Sequence, residues 1–125
     1  MPTKSKSRTT IKRRAARPAG LVERLLPRMV PPTHPGEMLL EEFLKPLEIS
    51  QSAFAIRLGV SFPRLNEIVR GKRSVTSDTA LRLARVTGMG AEFWLGLQLD
   101  WDLWHALRSS EARAIAKLSP LPRAG

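Results

Sequence analysis

The sequence predicts an all-α fold of five to six helices, and three observations predict it. From Gly36 onward apolar residues recur three and four positions apart, the spacing of one helix face. Ser50, Ser61 and Thr76 each open such a stretch, and Gly59, Gly71 and Gly88 each close one, the usual start and stop signals of helices. No stretch alternates apolar and polar residues well enough for a strand, and no segment repeats.

The elements follow in order. Pro31, Pro32 and Pro35 make a stiff, extended lead-in. A first helix begins at Gly36, patterned by Met38, Leu39, Glu42 and Phe43, and Pro46 stops it. Ser50 caps a second helix over 51–58 that ends at Gly59. Ser61 caps a third over 62–70, with Pro63 in the first turn, where a missing N–H costs nothing. Thr76 caps a fourth over 77–87. A fifth runs over about 91–108 and a short last one over 110–118. Of the fifth, the stripe Phe93, Leu97 and Trp104 is expected to face the core.

One domain over 31–118 accounts for the patterned residues, with a disordered tail at 1–30 and a fraying, Pro-rich end at 119–125. The absence of cysteine excludes disulfides and thiolate metal sites and suits a reducing, cytoplasmic setting. No apolar run approaches the roughly 20 residues of a membrane span. The net charge is +10, but residues 1–28 hold nine Lys and Arg against one acid, which leaves +2 for the rest. The basic excess therefore belongs to the tail. Such a tail is read as simply solvated, as an auxiliary nucleic-acid contact, or as a transit peptide. Met29 stands where it ends, and 21–26 has the pattern of one or two helical turns.

The domain has to justify a DNA-binding assignment by geometry. Phe54 and Leu58 are one turn apart on the second helix, and Leu65 and Ile68 are an i, i+3 pair on the third. Val60 fills the corner, Ala55 allows close approach, and Gly59 supplies the turn. This is a helix-turn-helix over about 50–73. Its third helix then turns Phe62, Pro63, Asn66, Glu67 and Arg70 outward, with Arg64 beside that face. Asn can bond adenine bidentately, Glu can accept from cytosine, and Arg can bond guanine. Gln51 and Ser61, at helix starts, suit phosphates, and Lys72 and Arg73 add positive charge nearby.

Four segments carry a family resemblance: Pro31-Pro-Thr-His-Pro-Gly-Glu37, Leu65-Asn-Glu-Ile-Val-Arg-Gly-Lys-Arg73, Thr79-Ala-Leu-Arg-Leu-Ala84 and Glu92-Phe-Trp-Leu95. In this order, over about residues 30–108, they resemble the HigA family of antitoxins. The resemblance implies an Xre/lambda-repressor-like helix-turn-helix fold and a homodimer bound to an inverted-repeat operator. It also implies neutralisation of a HigB toxin, a ribosome-dependent mRNA endonuclease. The chain departs from the family in its basic N-terminal extension and in Gly90, where a Ser or Thr cap is commoner. A stand-alone regulator of the same fold, without a toxin, is the alternative. A general nucleic-acid protein led by the basic tail is a third reading.

Other chemistries find little support. His34 and His105 lack ligand-like spacing, so no metal or other cofactor is expected. There is no nucleophile elbow and no phosphate-cradling glycine loop, and adjacent Glu41 and Glu42 point to different helix sides. No enzyme is expected. The fifth helix carries all three tryptophans, and its apolar surface wraps widely. It is either a central buried helix or a dimerisation helix, with Trp94, Trp101 and Trp104 at the interface. Glu37 and Glu41, one turn apart, form either an ordinary solvated face or a dock for a basic toxin.

Overall fold

A computed structural model describes residues 30–122. The expected basic tail, the helical turns at 21–26 and the last three residues lie outside the described residues. The described part forms six helices and contains no strand.

Helix α1 starts with Pro35–Leu39, passes through a π-helical turn at Leu40–Leu44 and closes with Lys45–Leu47. His34 caps it: Nδ1 accepts the Gly36 N–H at 2.9 Å. Pro46 does not stop this helix, contrary to the sequence expectation. The Lys45 N–H already reaches back five residues to the Leu40 carbonyl. That wider turn takes in a ring that an α-helical turn would exclude. The helix ends instead at Glu48, in the left-handed region with φ 55°. The π turn also changes which residues face inward. Leu39 and Leu44, five apart, are buried, while Phe43, four after Leu39, is only partly buried.

Helix α2 is Gln51–Leu58 and α3 is Phe62–Val69. Ser50 Oγ accepts the Ala53 N–H at 3.0 Å, and Ser61 Oγ accepts the Arg64 N–H at 3.2 Å. Gly59 joins the two helices at φ 73°, a conformation cheap only for glycine. Helix α4 is Ser77–Thr87, capped by Thr76; α5 is Ala91–Leu107; α6 is Ala112–Ala116 and buries no residue. At the start of α5, Gly90 occupies the cap position without a side-chain bond.

Leu39, Phe54, Leu58, Leu65, Ile68, Leu83 and Trp94 meet in one core. Each such side chain withdrawn from water contributes about 1.5–3 kcal/mol. The start of α1 presses on the end of α3 with no side chain between them. A Cβ on Gly36 would lie 1.7 Å from the Ile68 carbonyl oxygen, so only glycine fits.

Helix α5 faces the core differently from expectation. Its buried residues are Trp94 and Gln98; Phe93 and Leu97 flank them partly buried, and Trp104 lies away from the core under the Arg108 guanidinium. A polar residue was not expected in that stripe, but Gln98 is satisfied on both sides. Its Oε1 accepts the Val75 N–H at 2.8 Å and its Nε2 donates to Asp102 at 2.9 Å. Trp94 is thereby removed from the expected dimer interface. It is 0% exposed, packed between Phe43 and Phe93 inside its own chain.

Candidate nucleic-acid interface

The apolar contacts of α2 and α3 turn one row of α3 inward and leave the opposite row to solvent. Leu65 and Ile68 are buried against Phe54 and Leu58, as their spacing predicts, and Val60 packs beside them. The outward row starts with Phe62, 47% exposed, and Pro63, and ends with Arg70 at the C-terminal cap of α3.

Between these ends the polar side chains are already arranged. Asn66 Nδ2 donates to Gln51 Oε1 at 3.0 Å, so an amide from the first turn of α2 holds an amide from the middle of α3. Glu67 Oε1 accepts from Arg73 Nε at 2.8 Å and Nη2 at 2.7 Å. The Glu67 carboxylate, which alone would repel phosphate, is therefore neutralised by the loop after α3. Arg70 and Lys72 are exposed and carry no ion pair among the described residues.

Arg64 points elsewhere. Its Nη2 donates to Asp78 Oδ2 at 2.9 Å and to the buried Thr79 hydroxyl at 2.7 Å, both on the first turn of α4. Hydrogen bonds from Arg82 and then Arg64 hold the Asp78 carboxyl below the usual carboxylate range. Ser61 spends an oxygen lone pair on its cap and keeps its hydroxyl proton free to donate.

The sequence brings out the row on α3 but not these pairings. Gln51 and Asn66, or Arg64 and Asp78, are 15 and 14 residues apart, and no local pattern links them. Only Asp78–Arg82, an i, i+4 pair on α4, leaves a sequence signal.

The other expected sites separate. His34, the last residue of the Pro-rich lead-in, is a buried capping residue, and its ring meets Trp101 edge-on at 4.9 Å. His105 packs against the same Trp101 at 4.5 Å between ring centres, with the rings tilted by 41°. Among the described residues no group of three His, Cys, Asp or Glu side chains is placed to hold a metal. Glu37 is exposed, and Glu41 is paired with Lys45 at 2.7 Å. On α5, Trp101 and Trp104 are partly buried, while Leu99 and Leu107 are 41% and 39% exposed with the partly buried Leu103 midway between. These leucines recur every four residues, a stripe the tryptophans had masked in the sequence. No helix among the described residues is long and apolar enough to cross a membrane.

Comparison with known proteins agrees with this fold. Residues 40–94 match the family described as helix-turn-helix. The virulence-associated protein I of Dichelobacter nodosus is 53% identical over 74 residues, 59% of this chain and 68% of that protein. Antitoxin HigA-1 of Vibrio cholerae is 38% identical over 73 residues, 58% of this chain and 69% of the antitoxin. The solved structure of Pseudomonas aeruginosa antitoxin HigA with the higBA promoter superposes with a TM-score of 0.67 at 40% identity, covering 73% of this chain and 99% of that one. By its motif, its fold and these relatives, the chain belongs to the HigA family of helix-turn-helix DNA-binding antitoxins and is not an enzyme.

Proposed function

We propose that this protein is the antitoxin of a type II toxin–antitoxin module. As a cytoplasmic homodimer it binds an inverted-repeat operator, represses its own operon and neutralises a HigB-type mRNA endonuclease. The observation that carries the DNA part is the Gln51–Asn66 hydrogen bond at 3.0 Å on the outward side of α3. A side-chain amide held in this way needs little further ordering to meet an adenine edge, so its contribution to specificity is larger than that of a free one. The relative solved with the higBA promoter supports the same use of the fold.

In this reading α3 enters the major groove with its N-terminal end deepest. Phe62 and Pro63 meet apolar base edges, Asn66 reads adenine, and Glu67, already neutralised by Arg73, accepts from cytosine. Arg70, Lys72 and the N-terminal ends of α2 and α3 hold phosphates. The exposed leucine stripe of α5 and Trp104 join two copies, and Glu37 and Glu41 on α1 face the toxin.

Titration against an operator and a scrambled duplex at two salt concentrations tests the assignment. Asn66→Ala is expected to cost about 1–3 kcal/mol on the operator and little on the scrambled duplex. Arg70→Ala is expected to weaken both and to lower the salt slope by about one. Equal losses on both duplexes for Asn66→Ala would show that α3 presents a different side to DNA. For the toxin, the neighbouring reading frame is expressed alone and with this chain. Growth arrest relieved by co-expression supports the antitoxin role, and unrelieved arrest or none supports a stand-alone regulator.

A further inference from the structure

The turn that separates α2 from α3 is tied at both ends to α4, and one carboxylate oxygen of α4 holds both arginines that make the ties. On the α3 side, Arg64 Nη2 donates to Asp78 Oδ2 at 2.9 Å and to the buried Thr79 hydroxyl at 2.7 Å. On the α2 side, Arg82 Nε donates to the same Asp78 Oδ2 at 2.9 Å. The Arg82 Nη1 then reaches the last carbonyls of α2, Leu58 at 2.9 Å and Gly59 at 3.3 Å. Those carbonyls have no partner within their own helix, and a guanidinium there also complements the negative end of the helix dipole. Gly59 serves this contact as well as the turn, since a Cβ on it would come within 3.0 Å of Arg82 Nη1.

We propose that Asp78 is a positioning residue for DNA recognition: by holding Arg64 and Arg82 together it sets the angle between α2 and α3 from the outside, without touching DNA. The apolar contacts of Phe54, Leu58, Leu65 and Ile68 bring the two helices together but are non-directional, so they tolerate small rotations. Base reading tolerates an error of only about 0.5 Å in the supporting frame. Charge-assisted hydrogen bonds are directional and supply the missing constraint. Arg64 is accordingly a structural member of the unit, not a phosphate ligand as its place on α3 suggests. The inference rests on α3 being the reading helix.

The clamp makes a prediction of opposite sign to simple electrostatics. Removing an anion from a DNA-binding surface ordinarily strengthens binding to any duplex. If Asp78 positions the helices, Asp78→Asn weakens operator binding and leaves scrambled DNA unchanged or bound more tightly. The probe is a duplex enriched from a random pool by the wild-type full chain, with its scrambled counterpart as reference and circular dichroism as the check on folding. Asp78→Asn and Arg82→Gln are each expected to lower affinity for the enriched duplex about tenfold. The double variant is expected to lose about as much as either alone, because both substitutions break one device. Arg64→Gln, which leaves the Asp78–Arg82 arm in place, is expected to lose operator affinity with an unchanged salt slope. Unchanged or tighter operator binding by Asp78→Asn, fully additive losses, or a slope reduced by about one in Arg64→Gln each overturn the proposal. If the wild-type chain enriches no duplex, the reading of α3 falls and the clamp with it; enrichment followed by any of those three results rejects the clamp alone.

Discussion

His34 shows how one side chain can join three parts of this molecule. It caps α1 through Nδ1, lies edge-on to Trp101 of α5, and stands beside Gly71 at the end of α3. The cap requires an unprotonated Nδ1, because a protonated one would confront the Gly36 N–H with a second donor. Burial pushes this imidazole below its usual value near 6.5; Asp102 and Glu37 oppose the shift, and His105 adds to it. The unfolded chain therefore takes up the proton first as the pH falls. The stability due to neutral His34 is complete above about 6.5 and is lost as pH falls through the folded-state value. The melting temperature is expected to drop between about pH 7 and pH 5. His34→Asn, which caps without titrating, is expected to flatten that slope. An equally steep slope in His34→Asn, measured by thermal melts at several pH values, would assign the proton uptake to another group.

At the scale of the element, the contact between α2 and α3 is the one most exposed to a simple test. Leu65 is 0% exposed between them, and Leu65→Ala is expected to destabilise by roughly 2–5 kcal/mol in denaturant melts. A loss below about half a kcal/mol would mean that α3 is rotated. These helices were legible in the sequence because their signals are local. Ser50, Ser61 and Thr76 cap from within three residues, and Gly59, Gly71 and Gly88 adopt positive φ where the helices stop. Two features were not legible, for one physical reason. The π turn of α1 and the buried Gln98 of α5 satisfy their backbone and amide groups through partners that helical periodicity does not encode. The α3 face was legible as a row of residue types, while the partners that orient Asn66, Glu67 and Arg64 became visible only in three dimensions.

For the whole molecule, charge and assembly are the governing quantities. The part of the chain beyond residue 28 carries only +2, so its DNA affinity has to come from a few placed contacts and, in the proposed dimer, from pairing two copies. A two-fold dimer sets its reading helices about 34 Å apart, one turn of the duplex, and the operator is expected to be an inverted repeat of that spacing. Leu99 and Leu107 are exposed on α5 and bear little on the core. Replacing either with Glu is expected to shift the protein to monomer in sedimentation while circular dichroism is unchanged. An intact dimer in both variants would place the interface elsewhere. Trp101→Ala is the poorer probe, since it removes the ring against which His34 packs.

The π-helical turn of α1 has a consequence for chain length. Its hydrogen bonds span one residue more than those of an α-helix, so Leu40–Leu44 holds a surplus residue between two buried anchors, Leu39 and Leu44. A chain one residue shorter here would keep both anchors on one side at ordinary α-helical spacing and leave every later helix in register. What opposes the deletion is Pro46, whose ring the tighter turn would push against the carbonyl four residues before it. Surplus residue and proline thus form a matched pair: a natural or engineered chain that loses one should tolerate it best by losing both.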